Sequence, residues 1–176
     1  MSAQEKYSIY TIGHSTHPLS AFIDMLKKYN VRTLVDIRRF PGSRKYPNFN
    51  KEFLAASLEK RGFEYIHLEA LGGRRKNQHT IENSRWRNAS FKAYAHYMES
   101  EAFEKGIEKL KEIAIEDTTA IMCSEAVWWR CHRSMVADYL KAKGWKVMHI
   151  LGKNNVQEHP YTSPASVTNG NLSYTD

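Results

Sequence analysis

The chain reads Thr119-Ala-Ile-Met-Cys123-Ser-Glu125-Ala-Val-Trp-Trp-Arg130-Cys131-His132-Arg133 where a predicted strand gives way to a predicted helix. The segment from Thr119 to Cys123 is a short apolar run of strand length. Downstream, apolar residues recur at helical spacing and stop before a glycine: Met135, Val136, Tyr139, Leu140 and then Gly144. The reactive residue types therefore lie between a strand end and a helix start, which is where open parallel α/β sheets bind ligands.

Four further runs have strand character: Tyr7 to Ile12, Thr33 to Ile37, Glu64 to Leu68 and Lys146 to Leu151. They lack clean polar alternation, which is typical of strands covered on both faces. Helical apolar stripes separate them, and this alternation predicts right-handed crossovers and a parallel sheet. We expect a single Rossmann-like three-layer α/β domain over residues 1–152, with a mainly parallel sheet of about five strands.

The last part of the sequence differs in composition from the rest. Residues 153–176 are polar, contain Pro160 and Pro164, and show no periodic apolar run. We expect them to form a C-terminal arm or tail. The order of the strands in the sheet cannot be derived from this pattern.

The net charge of +7 is concentrated in two segments. Residues 32–48 hold five basic side chains against one acidic side chain, and residues 71–92 hold six against one. Basic charge gathered in predicted loops favours an anionic partner, either a small molecule or a nucleic acid.

Location and redox state follow from what the sequence contains. No apolar run is long enough to cross a bilayer, and the first residues do not resemble a secretion signal. We therefore expect a cytoplasmic protein with no membrane partner. In a reducing compartment the two cysteines are expected to be thiols, metal ligands or redox partners rather than a structural disulfide. The sequence predicts no oligomeric state and no particular cofactor.

The predicted strands end in clusters of reactive or charged residue types. Because the carboxyl ends of parallel strands meet at one edge of a sheet, these clusters are expected to converge. The candidate catalytic residues are Cys131, His132, Cys123, Glu125 and His14. The candidate anion-binding residues are Ser15, Asp36, Arg38, Ser43, Arg74, Arg130 and Arg133.

The same motifs carry a resemblance to a known family. They are Thr11-Ile-Gly13-His14-Ser15, Asp36-Ile-Arg38 with Pro41 and Ser43, Leu71-Gly72-Gly73, Cys123-x-Glu125-x5-Cys131-His132-Arg133, and His159-Pro160-Tyr161-Thr162. Together they resemble the domain of unknown function 488 family over residues 7–165. The resemblance implies a soluble single α/β domain and directs functional interest to these residues, but it implies no reaction.

The chemistry of the cysteines is argued from their surroundings. Cys131 is predicted at the start of a helix, where unpaired N–H groups, the helix dipole, Arg130 and Arg133 would stabilise a thiolate. Cys131 is therefore a candidate nucleophile. Cys123 is a candidate resolving partner, an alternative nucleophile, or simply a small buried residue. Glu125 and Asp36 are candidate general bases or partners that orient guanidinium groups.

Three functions remain open at this stage. The first is an enzyme that acts on a phosphate-bearing substrate through a Cys/His/Arg site. The second is a nucleic-acid-binding accessory module, with bases stacking on aromatic side chains in loops: Tyr46, Trp86, Trp128 and Trp129. The third is a metal- or redox-sensing domain that uses the cysteine pair, although the cysteine spacing matches no common closed zinc motif.

Overall fold

A computed structural model describes residues 7–42, 44–75 and 83–176. It contains eight strands: β1 Ser8–Gly13, β2 Thr33–Asp36, β3 Glu64–His67, β4 Thr119–Cys123, β5 Lys146–Gly152, β6 Asn155–Glu158, β7 Ser166–Thr168 and β8 Asn171–Ser173. It contains five α-helices: α1 Leu19–Lys28, α2 Lys51–Glu59, α3 Ala89–Tyr97, α4 Glu101–Glu116 and α5 Arg133–Ala142. These counts refer to the described ranges.

The central sheet has six strands in the order β3-β2-β4-β1-β5-β6. The first five are parallel, and β6 runs antiparallel to β5. The five strands predicted from sequence coincide with β1 to β5 to within one residue at each end. The predicted mainly parallel three-layer α/β fold is thus confirmed, and β6 extends the sheet by one strand.

Helices cover both faces of this sheet. One apolar cluster packs α1 and α2 against it through Phe22, Leu26, Leu34, Leu54 and Leu58. The other packs α3, α4 and α5 against the opposite face through Tyr94, Phe103, Ile107, Leu110 and Val136. Every residue of β2 and β4 is buried, which explains why these strands lack polar alternation in the sequence.

The neighbouring strands β1 and β4 form the switch point of the sheet. From β1 the chain crosses through α1 to β2, towards one edge; from β4 it crosses through α5 to β5, towards the other. Since α1 and α5 lie on opposite faces, the carboxyl ends of β1 and β4 are at the position where α/β proteins commonly bind ligands. The last residue of β1, Gly13, has no room for a side chain, because the Glu125 carbonyl oxygen lies 1.6 Å from where a Cβ would stand.

The C-terminal residues, expected as a polar arm or tail, contact the domain closely in this structure. His159 is buried, and its Nε2 donates to Oδ1 of Asp138 on α5 (2.8 Å). Its Nδ1 lies 2.7 Å from Nε2 of His149, whose Nδ1 lies 2.5 Å from Oγ1 of Thr11. The buried Tyr174 hydroxyl also donates to Asp138. These hydrogen bonds attach His159 and Tyr174 to α5 and β5, and His149 in turn contacts β1.

A membrane-spanning helix must be both long and apolar. Among the described residues, none is both long enough and apolar enough to span a membrane.

Candidate active site

The carboxyl ends of β1, β2 and β4 place most of the candidate catalytic residues at one edge of the sheet. His14 follows β1, Asp36 ends β2 and Cys123 ends β4. Backbone bonds join these ends, since the His14 N–H donates to the Cys123 carbonyl and the Ile37 N–H donates to the Met122 carbonyl. Within this edge the side chains form two clusters, one around Cys131 and one around Arg38.

The first cluster is a cysteine–histidine pair at the start of α5. Nε2 of His132 lies 3.0 Å from the carbonyl oxygen of Ile37. A carbonyl oxygen only accepts hydrogen bonds, so Nε2 carries the proton and Nδ1 of neutral His132 is an acceptor. Nδ1 lies 3.3 Å from Sγ of Cys131. The tautomer of His132 is therefore the one in which its unprotonated nitrogen faces the thiol.

The surroundings of Cys131 favour its thiolate. Burial would raise the pKa of Cys131, but a hydrogen bond from the Cys123 thiol, the charge of Arg133 and the Arg133 backbone N–H outweigh it, so that its pKa is lowered. The Arg133 N–H points at Sγ from 3.5 Å. Burial raises the pKa of Cys123 well above its ordinary value, and the Cys131 charge raises it further. Cys131 is thus the more acidic thiol, and Cys123 remains a protonated donor.

The base beside this thiol is also adjusted by burial. Desolvation lowers the pKa of His132 from its ordinary value of 6.5. His132 is consequently neutral at pH 7 and able to accept a proton from Cys131.

Arg133 is a fully buried cation with unused hydrogen-bonding capacity. Its Nη2 donates to the carbonyl oxygens of Glu125 (3.2 Å) and Ala126 (3.4 Å). Its Nε and Nη1 are buried and have no hydrogen-bond partner among the described residues. Unpaired donors on a buried charge are costly, so these groups favour a negative charge beside them, either the Cys131 thiolate or a bound anion.

The second cluster surrounds Arg38. Its Nε and Nη2 form a bidentate pair with Asp36 at 2.9 and 2.7 Å, and Nη2 also donates to the Phe49 carbonyl. Nη1 lies 3.5 Å from Nε2 of His14, whose Nδ1 lies 2.9 Å from the Ser15 carbonyl. The Tyr65 hydroxyl donates to Asp36. The Arg38 charge is therefore balanced inside the protein, and both ring nitrogens of His14 are engaged.

The chain is similar to one protein family. The family model described as Domain of unknown function DUF488 matches residues 18–140. The chain belongs to the DUF488 family. Searches of curated proteins and of solved structures found no match.

The DUF488 match covers part of the resemblance seen in the sequence. Asp36, Arg38 and the segment from Cys123 to Arg133 lie inside the matched residues. The Gly13-His14-Ser15 motif and the His159 to Thr162 segment lie outside them. The matched range therefore includes both cysteines, Asp36 and Arg38, but not His14 or Ser15.

Several residues predicted for the site of this DUF488 member do not place their side chains at the cysteine pair. Arg130 and Arg74 are exposed, and the Glu125 side chain is exposed as well. The Glu125 charge acts against the thiolate, since it raises the pKa of Cys131. Ser15 contributes a backbone N–H to the Ser124 carbonyl. Ser43 lies outside the described residues.

The aromatic residues proposed as base-stacking groups are arranged unevenly. Trp128 is buried and stacks on His149, with ring centroids 4.7 Å apart. Trp86 packs against Phe91 and is half-buried. The expectation that Trp128 is available in a loop for bases is therefore wrong, because its ring is buried, whereas Trp86 is only partly covered by the core. Trp129 is exposed.

Two arginines were missed by the sequence analysis as individual residues. Arg39 and Arg75 line a cleft beside α3, and the charge of Arg75 acts on His132. Both arginines lie in the two segments of concentrated basic charge, residues 32–48 and 71–92. This concentration of charge could not separate them from neighbours such as Arg74, because only packing distinguishes an arginine in a cleft from an exposed one.

A protein site for a metal ion needs several ligand side chains close together. Across residues 7–42, 44–75 and 83–176, no three or more His, Cys, Asp or Glu side chains are grouped so that they could hold a metal ion.

Proposed function

We propose that this DUF488 member is an enzyme that uses Cys131 as a nucleophile on an anionic, phosphate-bearing substrate. The observation that carries the proposal is the 3.3 Å contact between Sγ of Cys131 and the unprotonated Nδ1 of His132. A thiol beside a base whose other nitrogen is fixed by a third group is the arrangement of an activated nucleophile. Here the Ile37 carbonyl is that third group.

The proposed reaction is a displacement at an electrophilic atom of the substrate. The Cys131 proton moves to Nδ1 of His132, and the sulfur forms a bond to the electrophilic atom as the bond to the leaving group breaks. His132 then returns the proton to the leaving group. A water molecule then attacks the group bound to sulfur while His132 accepts a proton from the water. The bond to sulfur breaks, the product leaves, and His132 returns the proton to Cys131.

The anionic character of the substrate is supported by Arg133. A buried guanidinium with two unpaired nitrogens stabilises negative charge that approaches the sulfur. Arg38 is not assigned this role, because Asp36 already balances its charge. His14 is not assigned the role of base, because both of its nitrogens are engaged.

The test is the alkylation rate of each cysteine by iodoacetamide as a function of pH, located by peptide mass spectrometry. Cys131 should react with a midpoint below the ordinary thiol pKa of 9.0, and Cys123 should stay unreactive. Cys123→Ser, which retains a hydrogen-bond donor at this position, should shift the midpoint only slightly, whereas Cys123→Ala should raise it. Inorganic phosphate should slow alkylation of Cys131. An ordinary midpoint for Cys131, or faster labelling of Cys123, would exclude this mechanism.

A second candidate is dithiol redox chemistry, favoured by the mutual influence of the two buried thiols, in which Cys123 lowers the pKa of Cys131 and Cys131 raises the pKa of Cys123. A hydroperoxide would oxidise Cys131 to a sulfenic acid, releasing the alcohol or water. Cys123 would then displace the sulfenic oxygen as water and form a disulfide, so that two thiols supply two electrons. Non-reducing peptide mapping after one equivalent of peroxide decides between them: a Cys123–Cys131 disulfide favours redox chemistry, and its absence favours the nucleophile.

A further inference from the structure

A cleft of about 640 Å³ lies beside α3, apart from the Arg38 cluster. It is lined by Arg39, Arg75, Ala93, His96, Tyr97, Glu99 and Ser100. Its volume is within the range of pockets that hold small molecules and cofactors. The size therefore suits a ligand such as a nucleotide rather than a single ion.

The two arginines of the cleft are held by backbone carbonyls. Nη1 of Arg39 donates to the Arg74 carbonyl at 2.8 Å. Nε and Nη2 of Arg75 donate to the carbonyls of Gly72 (3.0 Å) and Glu69 (2.7 Å). Neutral carbonyls fix the guanidinium groups without cancelling their charge. Neither arginine forms a salt bridge within the described part of the chain.

The two guanidinium groups line the same cleft as Tyr97. Arg75 lies over the Tyr97 ring at 4.0 Å from its centroid. Burial raises the pKa of Tyr97, the charges of Arg75 and Arg39 oppose this rise, and the charge of Glu69 adds to it. Nε of Arg39 is buried without a partner in the described structure. Two cations from different loops thus meet at one place, and one of them has an unused buried donor.

Acidic residues near the cleft cancel only part of this charge. Glu99 lines the cleft, but its carboxylate lies 3.9 Å from Nδ1 of His96. The Glu69 side chain is exposed, and its carboxylate makes no salt bridge to Arg75. The pair of guanidinium groups therefore remains the dominant charge at the cleft.

The segment that carries Arg75 passes beside the base of the proposed nucleophile. Gly73, between the anchor of Arg75 and Arg75 itself, passes so close to His132 that a Cβ there would lie 2.9 Å from Nδ1. The charge of Arg75 lowers the pKa of His132, after the larger effect of burial. A ligand held by Arg75 would therefore lie near the His132 side of the Cys131 site.

We propose that this cleft binds a phosphate group of a nucleotide-sized ligand through Arg39 and Arg75, and so holds the substrate beside Cys131. The assignment of the ligand as substrate rests on the function proposed above. Guanidinium groups match the geometry of phosphate oxygens and bind them through paired, charge-assisted hydrogen bonds. The same phosphate chemistry occurs in a free nucleotide and in a nucleotide unit of a single strand.

The test is isothermal titration calorimetry at low salt with adenosine monophosphate, with adenosine, and with a short single-stranded oligonucleotide. Adenosine monophosphate should bind and adenosine should not. Arg39→Gln and Arg75→Gln should each weaken binding about tenfold or more, because each removes charge-assisted hydrogen bonds. Arg61→Gln is the matched control, since this exposed arginine also donates to a single carbonyl but lies at the end of α2, on the opposite face. Melting curves confirm that each variant is folded, and Arg75→Lys should restore part of the affinity.

The outcomes separate this inference from the proposed enzyme. Normal affinity in both glutamine variants, an equal loss in Arg61→Gln, or no binding of either phosphate probe would overturn the cleft as a phosphate site. Binding that depends on both arginines, together with an ordinary alkylation midpoint for Cys131, supports the phosphate site and removes the proposed enzyme. Binding of the oligonucleotide alone identifies a single strand as the source of the phosphate; binding of the mononucleotide identifies a free nucleotide.

Discussion

Lowering the pH from 7.5 to 5 should destabilise this protein through one buried histidine, His149. Its side chain is fully buried and stacks on Trp128. Burial, the neighbouring His159 and the charge of Arg133 lower the pKa of His149 from 6.5 to about 2. The hydrogen bonds to Thr11 and His159 fit the neutral ring, since Nε2–H donates to His159 and Nδ1 accepts from Thr11.

The sign of the effect follows from proton binding in the two states. Below pH 6.5 the unfolded chain protonates His149, whereas the folded protein keeps it neutral. The unfolded state therefore binds more protons, and the free energy of unfolding falls as pH falls. The slope is about 1.4 kcal/mol per pH unit below that value. At pH 5, His149 alone should remove about 2 kcal/mol of the stability present at pH 7.5.

The assay is urea unfolding at pH 7.5 and at pH 5, monitored by far-UV circular dichroism, for the wild type and for His149→Gln. Glutamine offers an acceptor to Thr11 and a donor to His159, but it does not titrate. The variant should be less stable than the wild type at pH 7.5, because it loses the stack on Trp128. Its stability should fall by about 2 kcal/mol less than that of the wild type between the two pH values.

The contribution of His149 is the difference between the wild type and His149→Gln in the stability lost from pH 7.5 to pH 5. Other groups titrate in both proteins and cancel in the difference between them. If the wild type and His149→Gln lose the same stability between pH 7.5 and pH 5, His149 is not held neutral by burial, and the argument from its surroundings is refuted.

Two further pairs of variants test the packing of the site, each by urea unfolding. Gly13→Ala should cost about 3 kcal/mol, because the new methyl group would overlap the Glu125 carbonyl oxygen, whereas Gly42→Ala should be near neutral, since nothing lies within 4 Å of its Cβ; equal stabilities would contradict the close approach at Gly13. Trp128→Ala should cost about 3–5 kcal/mol and Trp129→Ala less than about 0.5 kcal/mol, because only the first is buried; similar losses would contradict their different burial.

Much of the fold was accessible from local pattern. Strands β1 to β5 follow from apolar runs, and the start of α5 follows from the change of period after Cys131. Gly144, predicted to stop the last helix, has a positive φ. These features depend on residues close together in the sequence, where strand and helix periodicity act directly. The convergence of strand ends then follows from parallel pairing.

The neighbours in the site were decided only by the tertiary structure. Trp128 and Trp129 are adjacent and chemically identical, yet they are 7% and 51% exposed. Arg130 and Arg133 were equivalent from the sequence, but Arg133 begins α5 and is buried, while Arg130 precedes the helix and is exposed. The direction of each side chain depends on a short turn between a strand and a helix, where the sequence has no period to reveal it.

The sequence by itself therefore determined strands β1 to β5, the helical segments between them and the end of the sheet at which the reactive residue types gather. The tertiary structure decided the strand order, the partner of each charge, and the attachment of His159 to Asp138 and His149. Periodicity is set by contacts within one element, so it is readable along the chain. The choice of partners is set by packing between distant segments, where burial and hydrogen bonding select one neighbour among several of equal chemistry.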